Sequence, residues 1–155
     1  MGGFVMQHCP NCGCVLEKPR SRSQHNRWFA LATAAFSQWR HDHDFRPKSV
    51  DHMRYWLTVE AGRFDVIKTI RVHSVEAIAL QALLEGVLRV SDDERLFIDI
   101  DGDLITVRRA HSIKTTGPDA MPQREFSILC SEIDSVLRAE GFDPDQLLKE
   151  QASAA

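Results

Sequence analysis

Hydrophobic positions recur along most of the chain at helical spacing, and along three shorter stretches they follow the pattern of strands. Apolar side chains three or four residues apart put one helix face in a core, whereas alternation does so for a strand. The pattern predicts helices over 24–40, 49–62, 75–89 and 122–140, a short last helix after Asp143-Pro144, and strands over 64–72, 95–100 and 103–110. This order predicts an α+β fold in which helices pack on a small antiparallel sheet of about three strands.

Local signals indicate where several of these elements begin or turn, and which side of the fourth helix is buried. Ser23 and Ser49 stand where helix N-caps are expected, because a serine hydroxyl accepts a hydrogen bond from the first turn. Asp101-Gly102 lies between the last two strands and is typical of a hairpin turn. In the fourth helix the predicted apolar stripe is Phe126, Leu129, Ile133, Val136 and Leu137.

The chain has 155 residues, of which 43% are hydrophobic, and this length suits one domain. We expect that domain over 20–150, after a cysteine-rich extension, 1–19, and before a frayed tail, 151–155. No apolar run approaches the ~20 residues that cross a bilayer, so no membrane partner is expected.

Charge is distributed unevenly along the chain. Residues 1–50 carry seven basic and three acidic side chains, a net charge of +4, whereas the whole chain has a net charge of -3. An acidic protein is not a general polyanion binder, but a local anion-binding face at the N-terminal end is compatible with these numbers.

The N-terminal extension contains a cysteine cluster, with Cys9 and Cys12 separated by two residues and followed by Gly13 and Cys14. Two thiolates at this spacing can bind one tetrahedral zinc ion, as in a zinc knuckle. Cys14, His8 and His25 are the first candidates for the remaining ligands, and His41 and His43 are more distant ones. The alternative is a reduced cluster without metal. The predicted zinc ligands are Cys9, Cys12, Cys14 and His25. Clustered cysteines without a disulfide framework indicate a reducing cytoplasm.

A basic segment with polar and aromatic neighbours follows the cysteine cluster. Guanidinium groups match the oxygens of a phosphate, and amide side chains can reach bases or sugars. The predicted nucleic-acid contacts are Lys18, Arg20, Arg22, Gln24, Asn26 and Arg27. Trp28 is expected in the core, because it lies on the apolar stripe of the first helix.

The run Arg20-Ser21-Arg22-Ser23-Gln24-His25-Asn26-Arg27-Trp28-Phe29-Ala30-Leu31 resembles a segment of small phage proteins. Two groups share that segment: the Orf/NinB recombination mediators of lambdoid phages, and an uncharacterised phage family. Residues 53–62, Ser112-Ile113 and 121–126 are similar to further segments of the second group. The resemblance covers 20–62 and 108–150. The similarity to the recombination mediators implies a phage or prophage protein in the bacterial cytoplasm that binds single-stranded DNA in recombination or replication.

A second hypothesis is a protein-binding inhibitor of a host defence nuclease, such as an anti-CRISPR protein. An acidic face can occupy a basic nucleic-acid groove. The residues that would form this face are Asp92, Asp93, Glu94, Asp99, Asp101 and Asp103.

Enzyme motifs are not supported by the sequence. The segment 97–104 resembles the nucleophile loop of haloacid dehalogenase-type phosphatases, but Asp103 replaces the usual threonine and the later motifs are missing. The same aspartates do not complete a calcium loop, because Leu104 stands where glycine is required. The histidines and aspartates of 41–44 are interpreted as an exposed helix end. We therefore expect a protein that is not an enzyme.

Overall fold

The computed structural model describes residues 11–12, 22–114 and 120–154, and in these ranges it has five helices and three strands. They are α1 (Arg22–Ser37), α2 (Val50–Glu60), β1 (Phe64–Arg71), α3 (Ser74–Val90), β2 (Leu96–Asp101), β3 (Leu104–Ala110), α4 (Gln123–Ala139) and α5 (Pro144–Ala154). The α+β class and the order of the elements are confirmed. The predicted extension, 1–19, lies outside the described residues except for the turn at 11–12.

Helix ends follow local capping rules with three departures from the prediction. The Ser49 hydroxyl accepts a hydrogen bond from the His52 N–H at 2.9 Å and caps α2, as predicted. Ser23 is not an N-cap, because α1 already includes Arg22. The first helix ends at Ser37, three residues early, and residues 151–154, predicted as a frayed tail, belong to α5.

The segment between α1 and α2 is fixed by side-chain hydrogen bonds. The Trp39 indole donates to the Phe45 carbonyl at 2.9 Å, and His43 Nδ1 accepts the Phe45 N–H at 2.9 Å. His43 Nε2 lies 3.1 Å from a Glu140 carboxylate oxygen at the end of α4. Both ring nitrogens of His43 are therefore engaged, which explains this histidine as part of the loop structure.

The sheet is antiparallel, in the order β1-β3-β2. Strands β2 and β3 form a hairpin in which Asp101 pairs with Leu104, and Gly102 has a φ of 58°, a conformation that favours glycine. Strand β1 is an edge strand, and its register shifts between Val66 and Lys68, which leaves Ile67 as a bulge. This edge is poorly covered, since Val66 and Ile67 are each more than half exposed.

The main core lies among α1, α2, α4 and α5, and the sheet joins it through the contact of β3 with α2. Trp28 is 2% exposed, which confirms its predicted position in the core. Four residues of the predicted α4 stripe are buried: Phe126, Leu129, Ile133 and Leu137. Burial of these rings and aliphatic chains supplies most of the hydrophobic stabilisation.

Helix α3 differs from the other helices in its packing. It contacts chiefly β2, and none of its described residues belongs to the main core. Ile78 is 76% exposed, Leu83 63% and Val90 83%. The apolar residues of α3 therefore form an uncovered face of the protein.

Over the described ranges no helix combines the length and apolar composition that crossing a bilayer requires.

Candidate nucleic-acid interface at the start of α1

The first two turns of α1 contain the described part of the predicted DNA-binding segment. Lys18 and Arg20 lie outside the described residues, whereas Arg22 and Asn26 are exposed on α1. They are one helical turn apart, so their side chains project on the same side of α1. These two residues are open to a ligand, in contrast to Gln24 and Arg27, whose side chains bond to residues of α4.

Arg27 forms a two-pronged ion pair with a distant carboxylate. Its two terminal nitrogens lie 2.9 and 3.0 Å from the two oxygens of Asp134 on α4, and Asp145 of α5 is 3.8 Å away. Hydrogen bonding to Asp134 raises the pKa of Arg27 above its ordinary value, against the opposing effect of partial burial. Arg27 thus joins α1 to α4 and α5. A phosphate contact, as predicted from the sequence, would require this pair to open.

We expect a double-mutant cycle of Arg27→Ala and Asp134→Ala to give a coupling energy of about 1 kcal/mol, because the bidentate pair is only partly exposed. Unfolding by urea, followed by circular dichroism, measures it. The matched control is the pair Arg71–Asp103 across β1 and the hairpin, whose side chains are 76% and 51% exposed. Its coupling should be close to zero. Equal coupling in the two cycles would contradict the structural role of Arg27.

Gln24 and His25 also point into the protein. The Gln24 carbonyl oxygen accepts a hydrogen bond from the Gln123 amide at 3.0 Å, at the start of α4. The His25 ring lies 4.2 Å from the Phe29 ring and 6.0 Å from the Phe126 ring, measured between centroids. Gln24 therefore has a structural partner in addition to its predicted role, and His25 packs against aromatic rings of the core.

The first turn of α1 is electrostatically unlike those of the other four described helices. It contains no acidic residue, whereas α2, α3, α4 and α5 each have one there. An acidic residue at this end stabilises a helix, because the peptide dipoles place partial positive charge there. Arg22 adds a further positive charge instead. The start of α1 is thus suited to an external anion.

Arg54 on α2 makes a contact with Phe29 that was not predicted from the sequence. Its guanidinium carbon lies 3.7 Å from the centroid of the Phe29 ring, and its side chain also pairs with Asp51. The cation is thus used to cover an aromatic ring of α1. No local signal predicts this contact, because Phe29 and Arg54 come from different helices.

The structure describes only two of the four predicted zinc ligands, Cys12 and His25. Cys9 and Cys14 lie outside the described residues, and Cys12 is exposed in the turn at 11–12. The part of the chain that the structure describes contains no group of three histidine, cysteine or acidic side chains able to hold a metal. Zinc binding by the cysteines and His25 stays a prediction.

Three of the six residues in the acidic face of the second hypothesis form ion pairs with arginines of the sheet. Ion pairs join Asp93 to Arg109 at 3.3 Å, Asp99 to Arg108 at 2.5 Å and Asp103 to Arg71 at 3.1 Å. Glu94 accepts a hydrogen bond from the Ser49 hydroxyl at 2.6 Å. Among the six proposed residues, only Asp92 and Asp101 have no such partner within the described ranges.

A cleft of about 850 Å³ lies between the loop before α2, α2 itself, α3 and β2. His52 and Trp56 lie on its α2 side, and Phe97 on its β2 side. Its charged lining contains both signs, with the cations Arg46, Lys48, Arg89 and Arg108 and the acids Asp44, Glu60, Glu85, Asp93, Asp99 and Glu140. Such a mixture does not produce the positive potential that holds a nucleic-acid backbone.

No protein-family model, curated protein or solved structure matches the chain. The interpretation of the site therefore depends on its geometry and on the sequence motifs.

Proposed function

We propose that the protein is a non-catalytic accessory factor of a phage or prophage that binds single-stranded DNA during recombination or replication. The observation that carries the proposal is the start of α1, where Arg22 is exposed and the first turn contains no acid. Backbone N–H groups at a helix start and a guanidinium group together favour a phosphate oxygen.

The contact set is narrower than the six residues predicted from the sequence. Arg22 and Asn26 are the contacts on α1, and Lys18 and Arg20 precede them in the chain. Arg27 instead joins α1 to α4 through its ion pair with Asp134. The side-chain oxygen of Gln24 accepts a hydrogen bond from the side-chain amide of Gln123. The phosphate contacts then number three cations at most: Lys18, Arg20 and Arg22.

The choice of single-stranded DNA depends on the resemblance of 20–31 to phage recombination mediators. The buried position of Trp28 adds a physical constraint, because this indole cannot serve as an exposed stacking platform for a base. We therefore infer that contacts to the phosphate backbone supply most of the affinity. Such binding weakens steeply as salt concentration rises.

Fluorescence anisotropy with a labelled oligothymidylate, measured over a salt series, tests the proposal. The combined variant Lys18→Ala, Arg20→Ala, Arg22→Ala should make the slope of log K against log salt shallower by about 2, from three phosphate contacts on a single strand. The matched control removes three exposed cations elsewhere, Lys114, Arg138 and Lys149, and should leave the slope nearly unchanged.

Two results would contradict the proposal: absence of binding at low salt, or equal slopes for the two triple variants. The second result would mean that net charge alone governs the interaction. Because both variants lose three positive charges, the comparison separates a local site from a general electrostatic effect.

A further inference from the structure

We propose that two copies of the chain associate through α3, in an antiparallel pair related by a two-fold axis. The starting observation is the outer face of this helix, on which Ile78, Leu83, Val87 and Val90 are between 53% and 83% exposed. Monomeric proteins rarely expose apolar residues in such a continuous group, and larger groups mark interaction sites.

The face is continuous because its residues share one side of the helix. At 100° per residue the exposed apolar and small residues fall within about half of the helix circumference. They are Ile78, Ala79, Ala82, Leu83, Gly86, Val87 and Val90. Between positions 78 and 87 the one charged residue is Glu85, which lies at the edge of this side next to Ile78 and also lines the cleft.

Large and small residues alternate along the face in a way that fits a second copy. If two antiparallel helices cross near positions 82 and 83, Ala79 of one lies at the level of Gly86 of the other. Both are small, and a Cβ added at Gly86 would meet no atom within 4 Å, so the helices can approach closely there. The larger side chains of Ile78 and Val87 then lie next to these small residues.

Charge at the two ends of the face favours the antiparallel orientation. Glu76 lies in the first turn of α3 and Arg89 in its last turn; both are exposed, and Arg89 lies at the rim that the face shares with the cleft. An antiparallel pair brings the acidic end of each helix to the basic end of the other and also opposes the two helix dipoles. A parallel pair would place like charges side by side. The face is thus self-complementary, as a two-fold interface requires.

The size of the face sets the expected strength of the association. From residue 78 to residue 90 the helix rises roughly 18 Å. Two paired faces of this length cover on the order of 1,000 Å² in total, at the low end for specific complexes. We therefore expect a weak, reversible dimer.

Sedimentation equilibrium of the full chain, over a series from roughly 1 µM to 1 mM, measures this equilibrium. The wild-type chain should pass from the monomer mass to twice that mass. Leu83→Glu should raise the dissociation constant by at least about tenfold, because two carboxylates would meet near the two-fold axis. The matched control is Ile67→Glu, which places the same charge on an exposed aliphatic position of β1 and should leave the dimer intact.

Circular dichroism establishes whether each variant is folded. If Leu83→Glu does not fold, Ile78→Glu, at a position 76% exposed, gives the same test. A wild-type chain that remains monomeric throughout the series would overturn the proposal. Dimerisation that persists in a folded α3 variant, or that is lost equally in the β1 control, would overturn it as well.

Discussion

Truncation of Phe126 to alanine is expected to lower the free energy of unfolding by about 3–5 kcal/mol. The Phe126 side chain is fully buried at the centre of the core and lies 6.2 Å from the Trp28 ring, centroid to centroid. Because α1 and α4 are fixed on either side, we expect the cavity to collapse only partly. Urea denaturation followed by circular dichroism measures the loss.

Ile128→Ala is the matched control for this change, since Ile128 lies on the same helix but is 39% exposed. Its side chain makes few interactions that alanine would lose, and the expected change is below about 1 kcal/mol. A loss of similar size at the two positions would contradict the tight packing of Phe126 in the core, because alanine favours a helix at both positions.

Acidification from pH 7 to pH 4 is expected to destabilise the protein through His52, by up to about 3 kcal/mol. Burial lowers the pKa of His52 from 6.5 to about 4, assisted by the positive charge of Lys48 and opposed by Glu94. His52 Nδ1 accepts the Lys48 N–H at 3.0 Å, and the imidazole stacks on the Phe97 ring. A protonated Nδ1 could not accept that hydrogen bond.

The sign of the effect follows from which state binds the proton first. Above pH 6.5 the imidazole is neutral in both the folded and the unfolded chain, so the full stability is present. Between pH 6.5 and about 4 only the unfolded chain takes up the proton, and stability falls as pH decreases. Below about pH 4 both states are protonated, and His52 causes no further loss.

The measurement is the free energy of unfolding of the wild type and of His52→Asn at several pH values. The asparagine oxygen can accept the same backbone hydrogen bond but does not titrate. The stability difference between the two proteins should therefore change across pH 6.5 to 4. Thr69→Asn, at an exposed position that does not titrate, should keep a constant stability difference from the wild type over the same range. A constant difference between wild type and His52→Asn would be inconsistent with a buried neutral His52.

The elements of this fold could be predicted from the sequence because their signals are local. Ser49 caps α2 through a hydrogen bond to a residue three positions later, and Gly102 supplies the positive φ of the hairpin. The apolar stripe of α4 repeats at helical spacing and is buried almost throughout. Each signal depends on residues that are neighbours in the chain.

The candidate site could be predicted only in part because its deciding contacts are distant in sequence. Arg27 and Asp134 are 107 positions apart, and no local pattern shows that they meet. Gln24 and Gln123 are separated by a similar length of chain. A cluster of cations in sequence therefore indicates charge but does not show which side chains remain open to a ligand.

The sequence pattern also does not predict which side of α3 is buried. Its apolar residues occupy more than one side of the helix, so periodicity indicates strong hydrophobicity without selecting a covered side. Only the tertiary arrangement, in which α3 contacts chiefly β2, shows that Ile78 and Leu83 are outside the core.

The aromatic core has a spectroscopic consequence. All three indole rings of the chain are shielded from water, with Trp28 2%, Trp39 9% and Trp56 6% exposed. Their emission in the native state should be blue-shifted and nearly insensitive to a soluble quencher. The protein thus contains an intrinsic optical reporter of core integrity.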